Sequence, residues 1–181
     1  MNLSIQTKDE LLKILGKPAW GDNRLLSKVS YLSGIDAFDD ILKGEKNVEG
    51  TSSINLIQCP FGLQIQLARI FKTYSIAVLP EHIDVIELED KDQDYSKQEK
   101  SVIGRALIGG LLLGPLGAVV GGMSGIGSKD VKVDSQRLLL AISLKTDNQE
   151  RILSFSVKIK NRPDVEKFLK VYYKNKLQDR S

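Results

Sequence analysis

Residues 136–173 read QRLLLAISLKTDNQERILSFSVKIKNRPDVEKFLKVYY, and their pattern decides the fold. Gln136–Lys145 and Arg151–Ile159 are rich in leucine, isoleucine and valine, and the polar run Thr146–Glu150 between them predicts a β-hairpin. Asn161 stands where a helix N-cap belongs, and Pro163 fits a first helical turn. Val165, Phe168, Leu169, Tyr172 and Tyr173 then recur at i, i+3, i+4, i+7 and i+8, so one helix face packs on a sheet. Lys174 and Lys176 suit the negative end of the helix dipole.

Working outward from this stretch, more strands precede it. Leu25–Leu32, Ser53–Cys59, Leu63–Leu67 and Tyr74–Leu79 read as strands, with the strictest alternation in Leu63, Ile65 and Leu67 against Gln64 and Gln66. Pro60-Phe61-Gly62 marks a turn, Gly34 ends the first strand, and Ile35–Leu42 fits either a short helix or an irregular loop. Ile83, Ile86 and Leu88 form one more apolar run. At the N-terminus, Thr7 and Glu10 have capping-box spacing ahead of Leu11, Leu12, Ile14 and Leu15, and Gly16 and Pro18 close that helix. Trp20, just beyond, is expected to anchor this arm on the body.

The segment that precedes the hairpin is of another kind. Val102–Ile126 reads VIGRALIGGLLLGPLGAVVGGMSGI, with Arg105 its only charge. Nine of the chain's fifteen glycines fall between Gly104 and Gly127. Ala106, Gly110 and Gly114 form one ridge at helical spacing, and Gly117, Gly121 and Gly125 a second, with Pro115 between them. Such small-residue ridges let another helix approach closely. One continuous helix of 25 residues would be about 37 Å long and could cross a bilayer's hydrocarbon core of about 30 Å. The central break favours instead a hairpin with arms of about ten residues, each about 15 Å long and too short to cross. Glycine-rich helices need packing partners. The segment is therefore buried within one subunit, in a second copy of the chain, or in lipid. Lys100, Arg105 and Lys129 are the residues that would face lipid headgroups.

The order, several antiparallel strands and then an amphipathic helix, predicts an α+β fold. We expect a small antiparallel β-sheet or partial barrel with a C-terminal amphipathic helix and an inserted glycine-rich apolar hairpin. The plan resembles pleckstrin-homology-like domains. More specifically, residues 75–173 resemble small bacterial and phage proteins in which the same glycine-rich element follows a strand like Ile83-Asp84-Val85-Ile86 and precedes a hairpin. That resemblance implies a fold and no reaction, so it brings no catalytic residues. On this reading residues 1–45 are a helical arm and first strand, and 46–100 the first part of the β-domain with a charged linker. Residues 101–129 are the glycine-zipper segment, and 130–181 the hairpin and helix that complete the domain.

Composition narrows the function. The chain has 181 residues, 41% hydrophobic and 27% charged, with a net charge of +3, too small to argue for nucleic acid. One cysteine, Cys59, excludes an internal disulfide, and the N-terminus lacks the pattern of a secretory signal, so a cytoplasmic location is expected, with membrane association left open. Gly122–Gly127 has P-loop glycine spacing but Ser128-Lys129 follows in the wrong order. His82 and Cys59 are the only such ligands, so no metal site is expected. Cys59, in an apolar strand, reads as a small hydrophobe rather than a nucleophile for His82. Glu87, Glu89, Asp90, Asp92 and Asp94 read as a solvated linker. The expectation is a non-enzymatic interaction module without cofactor that self-associates or contacts membrane through its glycine segment. The alternative is a soluble adaptor or inhibitor binding a protein partner, with that segment as internal packing.

Overall fold

The computed structural model describes residues 3–18, 21, 24–43, 52–90, 137–146 and 149–178. The glycine-rich segment, Trp20, Asp92 and Asp94 lie outside them, and so does the expected hairpin of that segment.

Helix α1 (Lys8–Leu15) starts at the predicted box: the Thr7 N–H donates to Glu10 Oε2 at 2.7 Å and the Glu10 N–H to Thr7 Oγ1 at 3.4 Å. Strand β1 (Leu25–Ser33) and helix α2 (Asp36–Leu42) follow, so the ambiguous stretch is helical. Burial of Phe38, with Ala37, Ile41 and Leu42 packed on the core, holds it there without a side-chain cap. Then come β2 (Ser52–Cys59), β3 (Gly62–Arg69), β4 (Thr73–Val78), β5 (Ile83–Asp90), β6 (Arg137–Thr146), β7 (Gln149–Lys158) and helix α3 (Arg162–Gln178). All seven strands form one antiparallel sheet in the order β4-β3-β2-β1-β7-β6-β5. The sheet and terminal helix are the architecture expected from the sequence.

The sheet cannot be flat. Its edge strands β4 and β5 would then lie about 29 Å apart, at about 4.8 Å per strand. The chain from Val78 to Ile83, which includes a 3-10 turn at Pro80–His82, spans at most about 18 Å. The sheet therefore curls until its edges approach. Strand β1 makes the corner. Its first part pairs with β2 through Leu25, Leu26 and Val29, and its second with β7 from Val29 to Ser33. Lys28 sits at the irregularity between Leu26 and Val29 with φ +62°, an unusual conformation for a side-chain-bearing residue and the mark of a bulge.

The concave face carries the core. Ile54, Leu56, Leu63, Ile65, Leu67, Ile76 and Val78 from one half meet Leu140, Ile142, Leu153, Phe155 and Val157 from the other. Helix α3 closes the cup with Val165, Phe168 and Tyr172, the predicted face. Polar groups tie it to both halves: Gln58 Nε2 donates to the Phe168 carbonyl at 2.8 Å, and Lys176 Nζ to the Ile83 carbonyl at 2.7 Å. The Tyr173 hydroxyl donates to the Ile86 carbonyl at 2.8 Å and accepts from the Ile86 N–H at 3.0 Å.

One expectation is corrected. The acidic run does not begin as a linker, because β5 continues through Asp90, so Glu87, Glu89 and Asp90 are strand residues. Glu87 pairs with Ala141 and Glu89 with Leu139, while the intervening Leu88 pairs with Leu140. Alternation with Ile86 and Leu88, rather than carboxylate density, governs this stretch.

Candidate interaction surface

Because side chains alternate along strands, the residues between the core positions form the convex face. Its two halves differ. Over β2–β3–β4 it is covered by α1: Leu11 and Leu15 pack on Ile57, Cys59 and Ala77, with Leu79 alongside. Gln6 extends this cover to the sheet's edge, its N–H donating to the Ser75 carbonyl and its side-chain oxygen accepting from the Ala77 N–H. Cys59 thus lies beneath a helix, and burial pushes its thiol pKa up. His82 belongs to the 3-10 turn between β4 and β5. The thiol is buried among apolar side chains.

The other half of the convex face, over β1, β7 and β6, has small residues. Ala141 pairs with Ser154, Leu139 with Ser156, and Ser143 with Ile152, while Ser30 of β1 pairs with Ser156. Charged residues stand only at its ends, Arg137 opposite Lys158 and Lys145 opposite Glu150. Arg137 Nη1 donates to Ser156 Oγ at 2.9 Å and to Ser30 Oγ at 3.3 Å, and Ser143 Oγ donates to Glu150 Oε1 at 3.2 Å. Leu139 and Ala141 cluster with Leu32 and Ile152. The sequence signal was present: leucine, phenylalanine and valine alternate with alanine and serine in both strands. Only the register shows that the small residues align across three strands.

The 91–136 stretch that contains the glycine-rich segment leaves and rejoins the sheet here. Strand β5 ends at Asp90 and β6 begins at Arg137, and Asp90 pairs with Leu138. The predicted contact residues Ala106, Gly110, Gly114, Pro115, Gly117, Gly121 and Gly125, and the flanking Lys100, Arg105 and Lys129, lie outside the described residues.

A polar knot and an apolar tip were not foreseen. The Tyr31 hydroxyl accepts from the Ile35 N–H at 2.7 Å and donates to Asp39 Oδ1 at 2.9 Å, stapling α2 to β1. Burial pushes up the pKa of Tyr31, and burial likewise raises that of Asp39. At the β3–β4 turn Ile70 is 72% and Phe71 98% exposed, between Arg69 and Lys72. Among the described residues no group of three or more His, Cys, Asp or Glu could hold a metal, and no helix is long and apolar enough to cross a membrane.

A strand order that runs β4-β3-β2-β1-β7-β6-β5, a cup closed by a terminal helix, and an insertion between β5 and β6 together define a recognisable plan. The family model of the glycine zipper containing PH domain matches residues 63–159, more than half of the chain. The chain belongs to this family. The match runs from β3 through the glycine-rich insertion to the end of β7, so in this PH domain the insertion is part of the family pattern. None of the curated proteins and none of the solved structures matches the chain.

Proposed function

We propose that this PH domain is a non-enzymatic interaction module whose glycine-rich segment is the contact element, meeting a second copy of the chain or lipid. The observation that best supports this reading is the pairing of Asp90 with Leu138. The chain leaves and re-enters the sheet across one rung of a ladder, so the insertion departs from between two paired strands. A long apolar insertion held between two paired strands is suited to meeting a neighbour. Its ridges, Ala106-Gly110-Gly114 and Gly117-Gly121-Gly125, suit close helix contact, and Lys100, Arg105 and Lys129 suit anionic headgroups.

A second reading is an adaptor that binds a protein through the edge strand β4. The exposed Ile70–Phe71 tip beside that edge favours it. The two readings part in one experiment. The full-length chain and a variant with 102–126 replaced by a Gly-Ser linker are floated with phosphatidylcholine–phosphatidylserine vesicles and sized by light scattering. Near-ultraviolet circular dichroism confirms that both are folded. We expect only the full-length chain to float or to oligomerise. Two folded monomers that both stay with the aqueous phase would overturn the proposal and favour the adaptor.

A further inference from the structure

We propose that the small-residue convex face of β1, β7 and β6 is the seat of the glycine-rich segment 102–126 of the same chain. This deepens the proposed function, and rests on it, by naming where the segment is held when it meets no partner. Four observations converge.

The first is burial. On this face Ala141 is 1%, Ser143 0%, Ser154 2% and Ser156 3% exposed. A sheet face open to water leaves such short side chains partly wet. Yet no described helix contributes to the cluster: the apolar neighbours of Leu139 and Ala141 are Leu32 and Ile152, from the sheet itself. Helix α1 covers the other half of the convex face, and α2 and α3 pack on the core cluster of the concave side.

The second is the tether. Asp90 and Leu138 anchor the 91–136 stretch at one end of this face. The residues between Asp90 and Val102, and between Ile126 and Arg137, reach up to about 40 Å on either side, so the segment can fold back over β6 and β7.

The third is fit in size and shape. From Leu139 to Ser143 the face is about 14 Å long, and the spacings from β5 to β1 give about the same width. Hairpin arms of about ten residues are about 15 Å long. Alanine and serine below, and glycine and alanine above, allow backbones to approach closely at Ala141, Ser154 and Ser156, between the larger Leu139 and Ile152.

The fourth is charge. Arg105 is the only charged residue of the segment. Strand β5, along the margin of the face, places Glu87 and Glu89 in register with Ala141 and Leu139. Glu87 places a negative charge where the face borders β5, opposite in sign to the one charge the occupant carries.

The test is paramagnetic relaxation in the full-length chain. A nitroxide is attached to Ala118→Cys in a Cys59→Ala background, and amide signals are read in a 15N sample. We expect loss of the Ala141 and Ser154 signals, with Gln64 and Gln66 on the opposite half retained. Retention of Ala141 and Ser154 overturns the proposal. A mixture of unlabelled-spin 15N chain with nitroxide-bearing 14N chain separates sources: equal loss there puts a second copy's segment on the face and overturns it too. In the spin-labelled chain Ser154→Arg sets a bulky charge in the seat. It should restore the Ala141 signal while the Phe155 and Val157 resonances stay in place, and continued loss at Ala141 counts against the seat. Failure here, with flotation or oligomerisation still lost on excision of 102–126, removes the seat and leaves the interaction reading standing. The reverse result removes the interaction reading and leaves the seat.

Discussion

At the scale of single residues, the corners of this fold depend on backbone positions more than on large side chains. Gly34, between β1 and α2, has φ +104°, and an added Cβ would run into the Ile152 carbonyl and come within 2.9 Å of Leu153 Cα. Both obstacles are backbone, so neither can swing aside. Gly34→Ala should lower stability by about 2 kcal/mol or more, measured by urea unfolding. A few residues on, Asp39 gives a pH signature. Its ordinary value is 3.8, and burial raises it, so the charged form costs more in the folded chain than in the unfolded one. Stability from this group is therefore full below about pH 3.8 and falls as the pH rises through the raised value. Asp39→Asn keeps an acceptor for the Tyr31 hydroxyl and removes the titration. Its stability should exceed that of the native chain at neutral pH, and the difference should close on acidification. A constant difference across that range would show that the hydrogen bond, not the charge, governs the site.

At the scale of elements, α1 is an outrigger. It packs on the convex face and shares none of the concave core. Leu15 is its best buried residue, and its carbonyl also accepts from the Phe61 N–H at 3.1 Å. Removing such a buried leucine side chain typically costs about 2–5 kcal/mol. Leu15→Ala should then cost no more than the docking of α1, because the helix can detach. We expect hydrogen exchange to show lost protection at the amides of Leu11 and Gly16 while Leu140 and Phe155 of the core strands stay protected. The elements themselves were legible in the sequence wherever one face was apolar and the other polar, as in Leu63–Leu67 and in Val165–Tyr173. The capping box Thr7–Glu10 was legible because its chemistry is local. Three things were not. The bulge at Lys28 has no glycine or proline to announce it. The strand character of Glu87–Asp90 was hidden by its carboxylates. The small-residue convex face emerges only when Ala141, Ser154, Ser156 and Ser30 are aligned by pairing between strands far apart in sequence. The contact residues proposed in the glycine segment rest on sequence spacing alone.

At the scale of the whole molecule, the short link between β4 and β5 raises the question of what keeps the sheet curled. We expect the core bridging both halves and the α3 contacts to Gln58, Ile83 and Ile86 to hold the curl, with the link recording it rather than imposing it. Doubling a loop's length costs only about 0.6 kcal/mol in closure entropy, so four glycine or serine residues inserted after Leu79 should lower stability by less than about 1 kcal/mol. A larger loss would mean that the link itself is a structural strut. The pairing of β1 with β7 carries a further consequence, for the order of events during synthesis. Val29 waits for Val157, and so the first four strands emerge from the ribosome with the inner edge of β1 unpaired. The glycine-rich insertion is made during that interval, before the strand that completes the sheet exists. At about 5–20 residues per second, that edge stays open for roughly 6–25 seconds. During that time the nascent chain presents its two most adhesive surfaces at once, which makes the late C-terminal hairpin the step that protects the protein from its neighbours.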